Sequence, residues 1–199
     1  MIWKRSGTDR QDRQFFHQLV EAEIDALHRT AWRLSGDDSE AEELVQEVFL
    51  KAWKSIGQLS RMEHPRAWIF RVLRTTWIDR LRKKSRRPQL VELEEPTEAV
   101  SPKPVPLLTG EEERTEWNEF FDAEVSKAID ELPEGERQVL LYSTFGELSY
   151  REIAEVMECP IGTVMSRLHR ARSRLQKKLA GYAESRGIIK KEGRNRAEG

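Results

Sequence analysis

The chain has 199 residues, 35% of them charged, yet its formal net charge is only −1 at pH 7, so total charge points to no class of partner and any nucleic-acid surface must be local. Cys159 is the single cysteine, which excludes a disulfide framework and a multi-cysteine metal site and suits a reducing compartment. His17, His28, His64 and His169 are scattered without metal-ligand spacing, no apolar run is long enough to cross a bilayer, and the opening MIWKRSGTDRQDRQ is polar. A soluble, cytoplasmic protein is expected, with no membrane insertion, metal or cofactor.

Residues 1–14 read as a disordered polar extension, followed by a helix over residues 15–35. A second helix over residues 39–56, SEAEELVQEVFLKAWKSI, sets Ala41, Leu44, Val45, Val48, Phe49 and Ala52 inward and Glu42, Glu43, Gln46, Glu47 and Lys51 outward. With Asp37, Asp38 and Glu40, its outward acids form a patch that is a poor DNA ligand and suits a basic protein surface. The dipole rule accounts for acids near a helix start equally well. A third helix over residues 65–84, with the residues just after it, is the opposite in charge: Arg66, Arg71, Arg74, Arg80, Arg82, Lys83, Lys84, Arg86 and Arg87 oppose only Asp79. Such a block neutralises phosphates and releases their counterions.

The stretch from Arg86 to Glu116 carries Pro88, Pro96, Pro102, Pro104 and Pro106 with an acidic bias, and fits neither helix nor strand periodicity. A structureless connection of this length marks a domain boundary, so residues 88–115 are expected to be a flexible acidic linker between two small all-α domains, residues 15–87 and 116–182. In the second domain, helices are expected over residues 117–131 and 133–145, then a helix-turn-helix, then a polar tail over residues 183–199.

That helix-turn-helix, LSYREIAEVMECPIGTVMSRLHRARSRLQKK, is the most specific local pattern. Ser149 caps its first helix with Glu152 as capping-box partner, over an apolar stripe of Tyr150, Ile153, Ala154, Val156 and Met157. A second helix opens near Pro160 or Gly162, with Val164, Leu168, Ala171, Leu175 and Leu179 turned to the core. Its other face displays Met165, Ser166, His169, Arg170 and Ser173, flanked by Arg167, Arg172, Arg174, Lys177 and Lys178. A recognition helix in the major groove sets its first turns against base edges while neighbouring cations bind phosphate.

The order VQEVFLKAW, HPRAWIFRVLRTTWIDRLRKK, acidic linker and LSYREIAEVMECPIGTVMSRLHRARSRL resembles the extracytoplasmic-function (ECF) group of bacterial RNA polymerase sigma factors over residues 15–182. The resemblance implies a promoter-specificity subunit without catalysis of its own, whose partners are core RNA polymerase, promoter DNA and an anti-sigma factor. It makes Glu43, Gln46, Glu47 and Leu50 candidates for docking onto the polymerase. It assigns the minus-ten element to the third helix and the loop GQLSRMEH before it: Arg61, Arg71, Arg74, Thr75, Trp77, Arg80, Arg82 and Lys83. Trp68, Phe70 and Trp77 are candidate stackers for an extruded base, while an aromatic at helical spacing is more often core, Trp68 in particular. The minus-thirty-five element falls to Thr163, Met165, Ser166, Arg167, His169, Arg170, Arg174 and Lys177.

Four positions depart from the family pattern. Thr75 stands where many members have Asn, Trp77 where a small residue is usual, Met165 where a cation is common, and Glu158 where a turn glycine is frequent. Met165 removes a donor suited to guanine and offers an apolar contact suited to a thymine methyl. If position 158 needs a positive φ, Glu158 costs about 1 kcal/mol. Two other classes compete. A helix-turn-helix regulator with an N-terminal sensing domain needs a ligand cavity or phosphoacceptor; an RNA-binding or structural helical protein leaves the acidic helix and the linker unexplained.

Overall fold

In a computed structural model of the chain, residues 9–86 and 123–187 are described, and the regular structure among them is entirely helical. The helices are α1 (Asp9–Ser35), α2 (Asp38–Lys54), α3 (Ile56–Leu59), α4 (Pro65–Arg86), α5 (Ala123–Asp130), α6 (Glu134–Thr144), α7 (Tyr150–Met157) and α8 (Ile161–Ser185). The linker read over residues 88–115 lies outside the described residues, as do residues 1–8, 117–122 and 188–199. At the N-terminus the extension read over residues 1–14 is overturned from Asp9 onward, because α1 begins there.

By contact, the described residues form two compact units, residues 9–86 with 141–164, and residues 123–140 with 165–187. In the first unit, α1 ends at Gly36, whose φ of +72 admits glycine readily and whose amide donates to Trp32 O at 2.7 Å. Asp37 then caps α2 by accepting the Glu40 amide at 2.7 Å, so α2 starts at Asp38, just ahead of the serine-led start read from the sequence. Ala41, Leu44, Val45, Val48 and Ala52 are buried as a stripe on α2, which packs on α1, where Leu27, Ala31 and Leu34 are buried, and on α4, where Ile69, Phe70 and Leu73 are buried. Phe49 is only half-buried and stands edge-on to Phe16, with ring centroids 6.2 Å apart.

Also in this unit, α4 packs on the segment around the α6–α7 turn. Phe70 and Tyr142 are fully buried and meet edge-on with centroids 6.4 Å apart. Gly146 closes over them: a Cβ there would lie 2.8 Å from Tyr142 O and 3.0 Å from Phe70 Cε1, so the close approach requires glycine. Ser149 caps α7 as its sequence announces. Its hydroxyl accepts the Glu152 amide at 3.3 Å, and the Glu152 carboxylate accepts the Ser149 amide at 2.8 Å. Ile153, Val156 and Met157 are buried, whereas Tyr150, expected in the same stripe, is exposed at the first turn.

α7 ends at Glu158, with φ 50 and ψ 46, the left-handed conformation that disfavours a residue with a Cβ. The ion pair of Glu158 with Arg71, at 3.8 Å between exposed side chains, offsets little of that cost. Glu158→Gly should therefore raise unfolding free energy by about 1 kcal/mol, read by urea denaturation. At Gly146 the direction reverses. Gly146→Ala should lower stability by about 1–3 kcal/mol, because backbone and a buried ring must move.

Candidate nucleic-acid interface

Three surfaces carry the residues singled out by sequence. On α2, Glu43, Gln46 and Leu50 are exposed, Leu50 by 60%, while Glu47 is half-exposed. The acids are not a detached patch. Arg80 of α4 donates from Nη1 to Glu43 at 3.0 Å and from Nη2 to Glu47 at 3.2 Å, and Lys84 reaches Glu40 at 2.7 Å. Lys51 pairs with Glu47 at 2.8 Å and donates to Thr76 Oγ1 at 2.8 Å. Hydrogen bonding from Lys51, then from Arg80, holds the Glu47 carboxyl below its ordinary value of 4.5. Glu47, Lys51, Thr76, Asp79, Arg80 and Lys83 line a polar cavity of about 400 Å3. The structure thus joins Arg80, read as a promoter clamp, to two residues read as a polymerase dock. Charge sign alone had set them apart.

Along α4 and the turn before it, Arg61, Arg71, Arg82 and Lys83 are exposed and Arg74 is half-buried. Arg82 lies 3.6 Å from Asp79, one turn away, and Thr75 turns its hydroxyl back to Val72 O at 3.0 Å. Trp77 is 5% exposed and Phe70 is fully buried, so neither offers a ring to a base; of the two roles open to them, both take the core and not the stacking one. Lys84 sits 5.9 Å over the Trp77 ring. Trp68, read from sequence mainly as packing, is half-buried and borders a cavity of about 300 Å3 with Met62, His64, Ala67, Arg71 and Glu155. Met62 and His64 lie in the loop GQLSRMEH but were not singled out in it, because an isolated Met and His in a short turn carry no periodic signal.

Arg66 is a structural residue. Its Nε donates to Glu23 at 2.8 Å, Nη2 to Gly146 O at 2.7 Å and Nη1 to Glu147 O at 3.2 Å. Glu23 is buried, and burial raises its carboxyl above the ordinary value of 4.5 despite the opposing pull of Arg66.

On α8, Val164, Leu168 and Ala171 are buried and Leu175 and Leu179 are half-buried, which is the apolar stripe read from sequence. Met165, 53% exposed, lies on the outer face with Ser166, His169, Arg170 and Lys177. Thr163 and Arg167 are half-buried, and the Arg167 guanidinium lies over Gly135, 3.3 Å from where a Cβ would stand. Arg170 and Arg174 each approach the carboxylate of Glu136 at 3.0 Å, and Lys178 pairs with Glu131. Among the described residues no group of His, Cys, Asp and Glu is placed to hold a metal, and no helix is long and apolar enough to cross a membrane.

Comparison with known proteins matches both described parts of the chain. Sigma-70 region 2 matches residues 19–87, and sigma-70 region 4 matches residues 122–175. The chain is 31% identical over 178 residues to the RNA polymerase sigma-H factor of Pseudomonas aeruginosa, covering 85% of this chain and 89% of that protein. It is 30% identical over 182 residues to the ECF RNA polymerase sigma factor SigW of Bacillus subtilis, covering 90% and 97%. Among solved structures, the sigma factor RpoE in complex with the anti-sigma factor NepR from Bartonella quintana superposes with a TM-score of 0.63 at 28% identity, covering 84% of this chain and 98% of that one.

The two shifted carboxyls predict opposite pH effects. For Glu23 the folded value is raised, so its stabilising contribution is full below 4.5 and is lost as pH rises through the folded value. For Glu47 the folded value is lowered, so its contribution is present above 4.5 and is lost as pH falls below it. In thermal melts across pH, Glu23→Gln should remove the decline above 4.5, and Glu47→Gln should flatten the loss below it.

Proposed function

Because the chain belongs to the ECF group of sigma-70 factors and directs transcription initiation, we propose that it divides that work among three surfaces. The outward face of α2, with Glu43, Gln46, Glu47 and Leu50, docks on core RNA polymerase, and Arg80 holds two of its acids in place. The exposed cations of α4 and its preceding turn, Arg61, Arg71, Arg82 and Lys83, with Arg74 and Thr75, bind the minus-ten element. The first turns of α8 read the minus-thirty-five element through Thr163, Met165, Ser166, Arg167, His169 and Arg170, and Arg174 and Lys177 serve phosphates. Residues 15–87, with the start of α1 from Asp9 added, and residues 116–182 are the two functional domains. The chain chooses the start site and supports opening, whereas the polymerase forms the phosphodiester bond, so no catalysis of its own is assigned. It acts in the cytoplasm. An anti-sigma factor is its inhibitory partner, a proposal supported by the RpoE–NepR likeness.

The observation that carries the promoter reading is the outer face of α8. An apolar Met165 is held 53% exposed in the first two turns while Val164 beside it is fully buried, so the side chains aimed outward there are fixed by the core beneath them. A thioether set among donors favours contact with a thymine methyl over a guanine edge.

Leu50→Asp disturbs no buried contact, and together with Glu43→Lys and Glu47→Lys it tests the dock. Each should weaken core binding by about tenfold or more in a fluorescence titration, with unchanged helicity by circular dichroism. Wild-type affinity in all three would rule out this face of α2. In binding-site selection by the holoenzyme, Met165→Arg should move the preferred base at one minus-thirty-five position toward guanine. An unchanged motif would remove α8 as the reader at that position.

A further inference from the structure

One carboxylate near the reading helix has no role in the functions assigned above. Glu136, in the first turn of α6, is 7% exposed, and its two oxygens are divided between two arginines of α8. Oε1 accepts from Arg170 Nε at 3.0 Å in a formed hydrogen bond. Oε2 lies 3.0 Å from Arg174 Nε as an ion pair without a hydrogen bond. All three residues belong to the same compact unit. The arginines are one turn apart on α8, and each side chain remains about half exposed, 52% and 54%. Burying a carboxylate carries a desolvation penalty that only charged partners offset, so a glutamate retained here ties both arginines to one geometry.

We propose that Glu136 is a positioning residue for promoter recognition: it holds the Nε of Arg170 by a hydrogen bond and that of Arg174 by an ion pair, and so orients the guanidinium groups, Arg170 most firmly, with their terminal nitrogens toward the DNA. The proposal rests on the reading of α8 as the minus-thirty-five helix. A guanidinium is a planar fork of five donors, and a carboxylate at Nε leaves the Nη pair, which matches guanine O6 and N7 or two phosphate oxygens bidentately. An arginine free in solution must surrender its rotamer freedom when it binds; one already held by Glu136 surrenders less. The same negative charge repels phosphate, so it weakens attraction to DNA of any sequence. Glu136 therefore raises discrimination from both sides, by orienting specific donors and by lowering indiscriminate affinity.

The experiment uses holoenzyme assembled from core polymerase and the full chain. Affinity is measured for the promoter duplex that wild type selects and for the same duplex with its minus-thirty-five element scrambled. Glu136→Ala should lower affinity for the selected duplex and leave affinity for the scrambled one equal or higher, so that their ratio falls by about 5- to 20-fold, the lower part of the range of one bidentate contact. Glu136→Gln retains an acceptor without the charge and should fall between. In a double-mutant cycle, Arg170→Ala should cost markedly less in the Glu136→Ala background than in wild type. Equal gains on both duplexes would reduce Glu136 to a charge effect. Equal losses on both, with a lowered melting temperature, would make it a structural residue only. Additivity in the cycle would also overturn the proposal. If Arg170→Ala and Met165→Arg leave the wild-type motif unchanged, the reading of α8 fails first; if they alter it while Glu136→Ala does not, only the positioning role fails.

Discussion

A guanidinium withdrawn from water needs acceptors for a rigid set of N–H groups, and this chain meets that demand with carboxylates and carbonyls placed on neighbouring helices. Arg66 is the fullest case: it is bound to Glu23, Gly146 O and Glu147 O, and it joins α1, α4 and the α6–α7 turn within one compact unit. Glu23 remains buried beside it although burial disfavours the charge, and Gly146 keeps its place because neither Tyr142 nor Phe70 leaves room for a Cβ. Those contacts fix the axis of α4, and with it the arc of exposed cations along the helix.

The same demand sorts the remaining arginines into held and presented groups. Arg80 is committed to Glu43 and Glu47, whereas Arg61, Arg71 and Arg82 stand in solvent or in weak surface pairs. On α8, Arg170 and Arg174 are held at Nε yet half exposed, an intermediate condition. A chain of net charge −1 binds a polyanion through local excess of this kind. Acids that neutralise a cation inside the fold also decide which cations remain for a partner.

Much of this was legible in the sequence, for reasons specific to each element. Ser149 and Glu152 announced the start of α7 because a capping box satisfies two orphan amides with side chains three residues apart, a purely local arrangement. The stripe Ala41, Leu44, Val45, Val48 and Ala52 was visible because helical period alone selects the buried face. The left-handed turn at Glu158 was anticipated from the family pattern, since a position that commonly holds glycine is one where a Cβ is strained. What local pattern does not carry is pairing across helices. Trp77 looked like a base-stacking ring because its spacing fits either a core or a cleft, and only packing places it at 5% exposure. Likewise, nothing within α4 reveals that Arg80 meets Glu43 and Glu47, or within α8 that two arginines share Glu136, 34 residues before Arg170.

Run-off transcription with purified core polymerase and this chain, on a library of promoter fragments, tests the central claim most directly. The account predicts discrete transcripts that depend on the added chain, from templates sharing one minus-ten and one minus-thirty-five element at fixed spacing. Transcripts that start without a shared pair of elements, or core polymerase that gains no activity from the chain, would contradict it.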